Sequence, residues 1–177
     1  MSELVKLFRV FVAAPSDVDE EHEIIRGQIE QWNRDHGPLS QARVEFTNWR
    51  THSHPAAGSR PQSLINKQVV DKSDIVVGIF NTRFGSPTGV ADSGTEEEIR
   101  RSIKRGKMVM VYFANLPLPR RRKERHEFAQ IEDFRHRLGK NAVYHTYTDL
   151  PAFEEAFRQH LAAAMNELLA KKKNKLK

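Results

Sequence analysis

At 177 residues, with hydrophobic residues at 38% and charged residues at 29%, the chain has the length of one domain and the composition of a water-soluble globule rather than a disordered segment. It has no cysteine, which excludes disulfides, thiolate nucleophiles and zinc–thiolate sites, and no apolar run approaches the roughly 20 residues that cross a bilayer. The net charge of +6 raises the question of nucleic-acid binding, but much of the excess sits in Arg120–Arg125 and Lys171–Lys177, and no aromatic side chain interleaves with either run to stack on a base.

In chain order, Val5–Ala13 alternates and is rich in Val, Leu and Phe, which predicts a first strand. Because Arg9 interrupts this stretch, it does not read as a secretory signal, and a cytoplasmic location is expected. Ser16 with Asp19 forms a capping-box pattern that opens a helix through Asp35, and His36-Gly37-Pro38 stops it. Val44–Trp49 alternates again as a second strand, Arg50–Arg60 reads as a loop, and Pro61 starts a short helix with Leu64, Ile65 and Val69. Asp74–Phe80 is a continuous apolar run, the pattern of a central parallel strand covered on both faces. A polar loop from Asn81 to Gly94 follows, then a helix over Thr95–Lys104 closed by Gly106. Met108–Phe113 is the fourth strand, Arg121–Leu138 a charged helix, Ala142–Thr146 the fifth strand and Ala152–Lys171 the last helix. Residues 1–170 thus form a single α/β domain, followed by a basic tail, 171–177.

Alternating strands and helices argue for a parallel sheet between two helical layers. Right-handed crossovers favour the order 2-1-3-4-5, the flavodoxin-like three-layer arrangement, whose crevice opens where the loops leaving strands one and three diverge. Those loops are Ala14–Asp17 and Asn81–Gly94. Gly85, Gly89 and Gly94 allow tight turns and a close backbone approach to a ligand, and Ser93, Gly94 and Thr95 sit where a helix start offers N–H groups to a phosphate or a ribose oxygen.

Glu98 is expected in that helix's first turn, facing the crevice and kept ionised by the helix dipole. A carboxylate beside a bound ribose has a chemistry: breaking an N-glycosidic bond builds positive charge on the sugar, which a fixed anion stabilises or traps. With NAD as substrate the nicotinamide leaves as a neutral molecule, so one carboxylate suffices and no cofactor is called for. Against this stands a structural reading, because Thr95-x-x-Glu98 and Ser93-x-x-Glu96 are both capping-box patterns. With Thr95, Ile99 and Ile103 as the buried stripe, Glu96 and Glu98 flank it and Glu97 points away. Glu98 and Glu96 therefore both remain candidates for the key carboxylate. A cation held by Asp92, Glu96 and Glu97 lacks any distinctive ligand spacing, so no metal is expected.

Several segments, taken together, resemble a bacterial TIR-like family, mostly catalogued as a domain of unknown function and often fused to larger defence or signalling proteins. They are Val10–Val18, Trp49-Arg50-Thr51-His52, Pro61–Asn66, Asp74–Phe80, Arg83–Gly89 and Ser93–Glu98. Asp92-Ser93-Gly94-Thr95-Glu96-Glu97-Glu98 also resembles the Asp-x-Gly-Thr-x-x-Glu pattern of nucleoside 2-deoxyribosyltransferases. In those enzymes the last Glu is the nucleophile, and TIR-type NAD hydrolases use a Glu on the equivalent helix. The resemblance implies NAD or a related nucleotide as substrate, Glu98 as the catalytic residue, self-association, and a sensor or effector partner. Two positions depart from the pattern: Ile99 stands where the family often has an aromatic and Asn81 where a Lys is common.

The remaining candidates each have two readings. Ser16 is a cap or a ligand at the crevice, and Asp17 follows it. Trp49 packs in the core or stacks on a base, and His52 is solvated or reaches the site. Arg83 meets a phosphate or covers the sheet edge, and Phe84 lines the pocket rather than plugging the core. Phe153, Phe157, Leu161, Met165 and Leu168 form an apolar stripe that packs on the sheet and extends toward a dimer contact. An enzyme that cleaves an N-glycosidic bond, a non-catalytic nucleotide- or protein-binding module and a basic nucleic-acid binder are the three functions considered, in that order.

Overall fold

The computed structural model describes residues 4–48, 54, 58–140 and 142–174. Its elements are β1 (Lys6–Ala13), α1 (Asp19–Asp35), α2 (Gly37–Ser40), β2 (Ala42–Thr47), α3 (Pro61–Gln68), a 3-10 turn (Val70–Lys72), β3 (Ile75–Phe80), α4 (Gly94–Lys104), β4 (Met108–Ala114), α5 (Arg122–Gly139), β5 (His145–Tyr147) and α6 (Leu150–Asn174). All four strand pairings are parallel, and the sheet order is β2-β1-β3-β4-β5, as expected for a flavodoxin-like sandwich.

Alternation along the strands divides the core in two. Phe8, Val10 and Val12 of β1 with Ile75, Val77 and Ile79 of β3 pack against Ile25, Ile29 and Trp32 of α1 and Phe153, Phe157, Leu161 and Met165 of α6. The opposite side chains, Phe11, Ala13, Val76, Phe80, Val111 and Phe113, pack against Ile99 of α4 and Ile131, Phe134 and Leu138 of α5. As expected, the α6 stripe packs on the sheet, with Leu168 against the edge of that core. On β3, a Cβ at Gly78 would stand 2.5 Å from Ile99 Cδ1, so α4 lies against the one position of that strand that has no side chain. Among the described residues no helix is long and apolar enough to cross a membrane.

Several boundaries differ from the sequence reading for local reasons. Val18, not Ser16, is the N-cap of α1, and no side chain caps that end; the Ser16 hydroxyl accepts from Arg83 Nη1 instead, at 3.0 Å. After Asp35 the chain does not simply turn away: Gly37-Pro38 opens the short α2, which ends at Gln41 with a φ of 48°. β2 runs from Ala42 to Thr47 rather than from Val44 to Trp49. β5 is later and shorter than expected, because Val143 is 96% exposed and its apolar character does not reflect burial. The last helix begins at Leu150 and continues to Asn174, so the first part of the basic tail is helical.

Candidate functional site

Leaving β1, the chain passes to α1 on one face of the sheet; leaving β3, it enters the loop that leads to α4 on the other. Divergence at that switch point opens a crevice at the carboxyl ends of the two strands. A cavity of about 470 Å³ lies there, with Ser16 on one side, Gly85 and Thr88 on another, and Gly94, Thr95 and Glu98 of α4 along its wall. That size falls within the range of small-molecule sites. Gly85 has a φ of 102°, and a Cβ there would approach the Cβ of Ser93 to 3.3 Å. A further wall was not foreseen: Arg60, Gln62 and Ile65 at the head of α3 close the cavity opposite α4.

Three consecutive glutamates at the start of α4 have different surroundings. Glu96 is 1% exposed; its Oε1 meets Arg137 Nη1 of α5 at 2.9 Å and its Oε2 accepts from the Asp92 N–H at 3.2 Å. Glu97 does not point away. Arg60 grips it with two hydrogen bonds of 2.8 and 2.7 Å, and Thr88 Oγ1 and Asn66 Nδ2 donate to it at 2.5 and 2.9 Å. The hydrogen bond from Arg60 is the main cause holding the Glu97 carboxyl below its ordinary range. Asp92 lies 3.9 Å from Arg137, so all three carboxylates considered for a cation are met by arginine instead. No cluster of three or more metal-ligating side chains occurs among the described residues.

Glu98 is 5% exposed, and among the described residues no cation pairs with it. Its Oε1 accepts from Gln62 Nε2 at 2.8 Å. Burial pushes its carboxyl up to about 8, the Gln62 hydrogen bond opposes that rise, and the neighbouring charge of Glu97 adds to it. The expectation that Glu98 is kept ionised is therefore corrected: desolvation is the largest influence on the carboxyl and favours its protonated form. The capping-box reading of Glu98 fails as well. Thr95 lies inside α4, while Ser93 is the N-cap and accepts from the Glu96 N–H at 3.1 Å. Ile103, placed in the buried stripe by the sequence, is 44% exposed, because the inward face is formed by Thr95, Glu98, Ile99 and Ser102 with the two partnered glutamates.

The other candidates divide. Ser16, Gly85, Gly94 and Thr95 border the cavity, and exposed Arg83 reaches it only through its bond to Ser16. Asp17 is a tether: its Oδ2 accepts from the Thr82 N–H and hydroxyl at 2.8 and 2.7 Å and from the Arg83 N–H at 3.1 Å. Those bonds tie the end of β1 to the end of β3. Phe84 is a correction. It is fully buried and stacks on Phe80 at 5.5 Å between ring centres, with Phe134 beside it, so it plugs the core rather than lining the pocket. Ser93 is likewise buried beneath the helix start. Trp49 and His52 lie outside the described residues. Of the two departures from the family pattern, Ile99 packs on Gly78 in the core and Asn81 Nδ2 donates to the Asp17 carbonyl at 3.3 Å; neither borders this cavity.

The model of a family described as a domain of unknown function, DUF4062, matches residues 9–162. The comparison with curated proteins found no match. Among solved structures, the chain is similar to the TIR domains of the activated Roq1 resistosome directly recognizing the pathogen effector XopQ, at 14% identity and a TM-score of 0.48 over 89% of this chain and 99% of that one. It is also similar to oxidised flavodoxin 1 from Bacillus cereus, at 13% identity and a TM-score of 0.41 over 91% and 97%. Both superpositions are loose, and the fold assignment rests on the strand order of the sheet itself.

Proposed function

The chain belongs to the DUF4062 family of unknown function, and from its own crevice we propose that it is a nucleotide-binding domain that cleaves the N-glycosidic bond of NAD or a related nucleotide, in a defence or signalling role. One observation carries this reading: Glu98 is a buried carboxyl that borders a cavity of about 470 Å³ and has no cationic partner among the described residues. A buried acid in that condition is costly to ionise, and a ligand that brings positive charge relieves the cost. The pyridinium of NAD is such a ligand, and so is the sugar cation that develops as the bond breaks. The bond between the anomeric carbon and the nicotinamide nitrogen breaks with its electron pair going to the nitrogen. The ligand's positive charge draws the Glu98 proton off to solvent, nicotinamide leaves neutral, and the ribosyl centre is met by the Glu98 carboxylate or by water that gives its proton to that carboxylate. Gly94 and Thr95 present their N–H groups at the positive end of α4, where a ribose oxygen or a phosphate is favoured.

Incubating the protein at high concentration with NAD and following free nicotinamide tests this proposal. Release is expected, and it is expected to fall by at least about a hundredfold in Glu98→Gln, the loss typical of removing a transition-state charge partner. In Glu96→Gln, folding stability is expected to change more than turnover. A second reading, a binding module without catalysis, is favoured by the burial that holds Glu98 toward its neutral form. Saturable NAD binding with no nicotinamide release would select it.

A further inference from the structure

We infer that Gln62 is the positioning residue for Glu98, with the orientation of its amide imposed by Glu97 through Asn66. The role in the reaction rests on Glu98 being the reacting carboxyl, but the positioning rests on geometry alone. Glu97, ionised against Arg60, can only accept hydrogen bonds. Asn66 must therefore turn its Nδ2 toward Glu97, which it does at 2.9 Å, and its Oδ1 then faces away from Glu97. That oxygen accepts from Gln62 Nε2 at 3.3 Å, and the same Nε2 donates to Glu98 Oε1 at 2.8 Å.

The opposite end of the amide has its own requirement. Gln62 Oε1 stands 2.8 Å from the place a Cβ on Gly94 would take, so the missing side chain at the helix start is what leaves room for it. Asn66, 1% exposed, cannot turn to water to find another partner. A fixed chain of donors thus runs from an ion pair to the carboxyl in the cavity, and each amide along it has one workable orientation.

The chemical consequence concerns which form of Glu98 the site favours. A donor held on Oε1 stabilises the carboxylate and cannot itself accept a proton from the acid. Gln62 also occupies one oxygen, which limits how the carboxyl turns toward a ligand. Among the described residues, the charged group acting on Glu98 is Glu97, on its own helix, and Arg60, which borders the same cavity at the head of α3, is already committed to Glu97.

The test is a carbon-13 NMR titration of the Glu98 carboxyl in the full chain, assigned by loss of its resonance in Glu98→Gln. In Gln62→Met the titration midpoint is expected to rise by about one unit, the scale of one hydrogen bond to a charged acceptor. Gln62→Asn, one methylene short of reach, is expected to shift it the same way, and it serves if the Met variant does not fold. Asn66→Asp is expected to raise it too, because a carboxylate added there puts a further negative charge beside Glu97 and Glu98. An unmoved midpoint in a folded Gln62 variant overturns the inference, whatever the melting temperature does. The titration needs no substrate, so failure to release nicotinamide sinks the proposed reaction without touching this result. Where release is observed, Gln62→Met is expected to lower kcat more than it changes KM and to move the pH profile with the titration. An unchanged profile also overturns the inference.

Discussion

Burial favours the protonated form of a carboxyl that has no cationic partner, as Glu98 has none among the described residues, while Glu97, one residue earlier, stays ionised in the grip of Arg60. The two residues make opposite contributions to stability as pH changes. Glu98 binds its proton more tightly folded than unfolded, so its contribution is fully present below the ordinary value of 4.5 and is lost as pH rises through about 8. Glu97 is held low, so its contribution is present above 4.5 and is lost as pH falls through its folded value. Melting temperature measured from pH 3 to 9 is therefore expected to decline between about 4.5 and 8 in the natural protein and to level out over that range in Glu98→Gln, with the acid limb below 4.5 unchanged. A decline of equal slope in Glu98→Gln would show that another group is responsible. None of this was legible from spacing. Three adjacent acids in a first turn look alike in the sequence, and what separates them is the partner each finds across the fold: Arg137, Arg60 or the amide of Gln62.

At the scale of the element, α4 could be read from its sequence at its start and misread along its side. Ser93 carries a cap pattern in the sequence and is the N-cap, with its hydroxyl accepting from the Glu96 N–H. Ser93→Ala is expected to cost about 1 kcal/mol in chemical denaturation, and more if the buried N–H of Glu96 is left without an acceptor. The face of α4 was misjudged because periodicity counts apolar residues only, whereas this helix turns a polar face inward and satisfies it with Arg60, Asn66 and Arg137. The same blindness hid α3. Pro61 announced a helix start, yet nothing local told that Gln62 reaches Glu98 across a sequence separation of 36. Phe84 misled in the opposite sense: placed in a loop of glycines and polar residues, it looked like a ring for a ligand, but it turns back into the aromatic cluster of Phe80, Phe113 and Phe134.

For the molecule as a whole, strand order was the most legible property. Apolar runs with turn residues between them marked the five strands, and the handedness of the crossovers left one favoured order and one crevice. The sheet has that order, and Glu98 borders that crevice. What escaped was set by contacts between distant parts, where the chemistry of a residue depends on neighbours no local pattern names. Gly78 belongs to this class. It lies mid-strand in the apolar core, and its only evident virtue is having nothing to put against Ile99. Gly78→Ala is expected to lower stability by about 1–3 kcal/mol, as overpacked cores do, and to shift the Glu98 titration although no cavity residue is altered. A stability loss with an unmoved titration would show that α4 absorbs the methyl without tilting. The bare spot on β3 thus serves as a seat whose height is already correct: slip even one carbon beneath Ile99, and the helix that bears the acid is jacked away from the floor on which a ligand would rest.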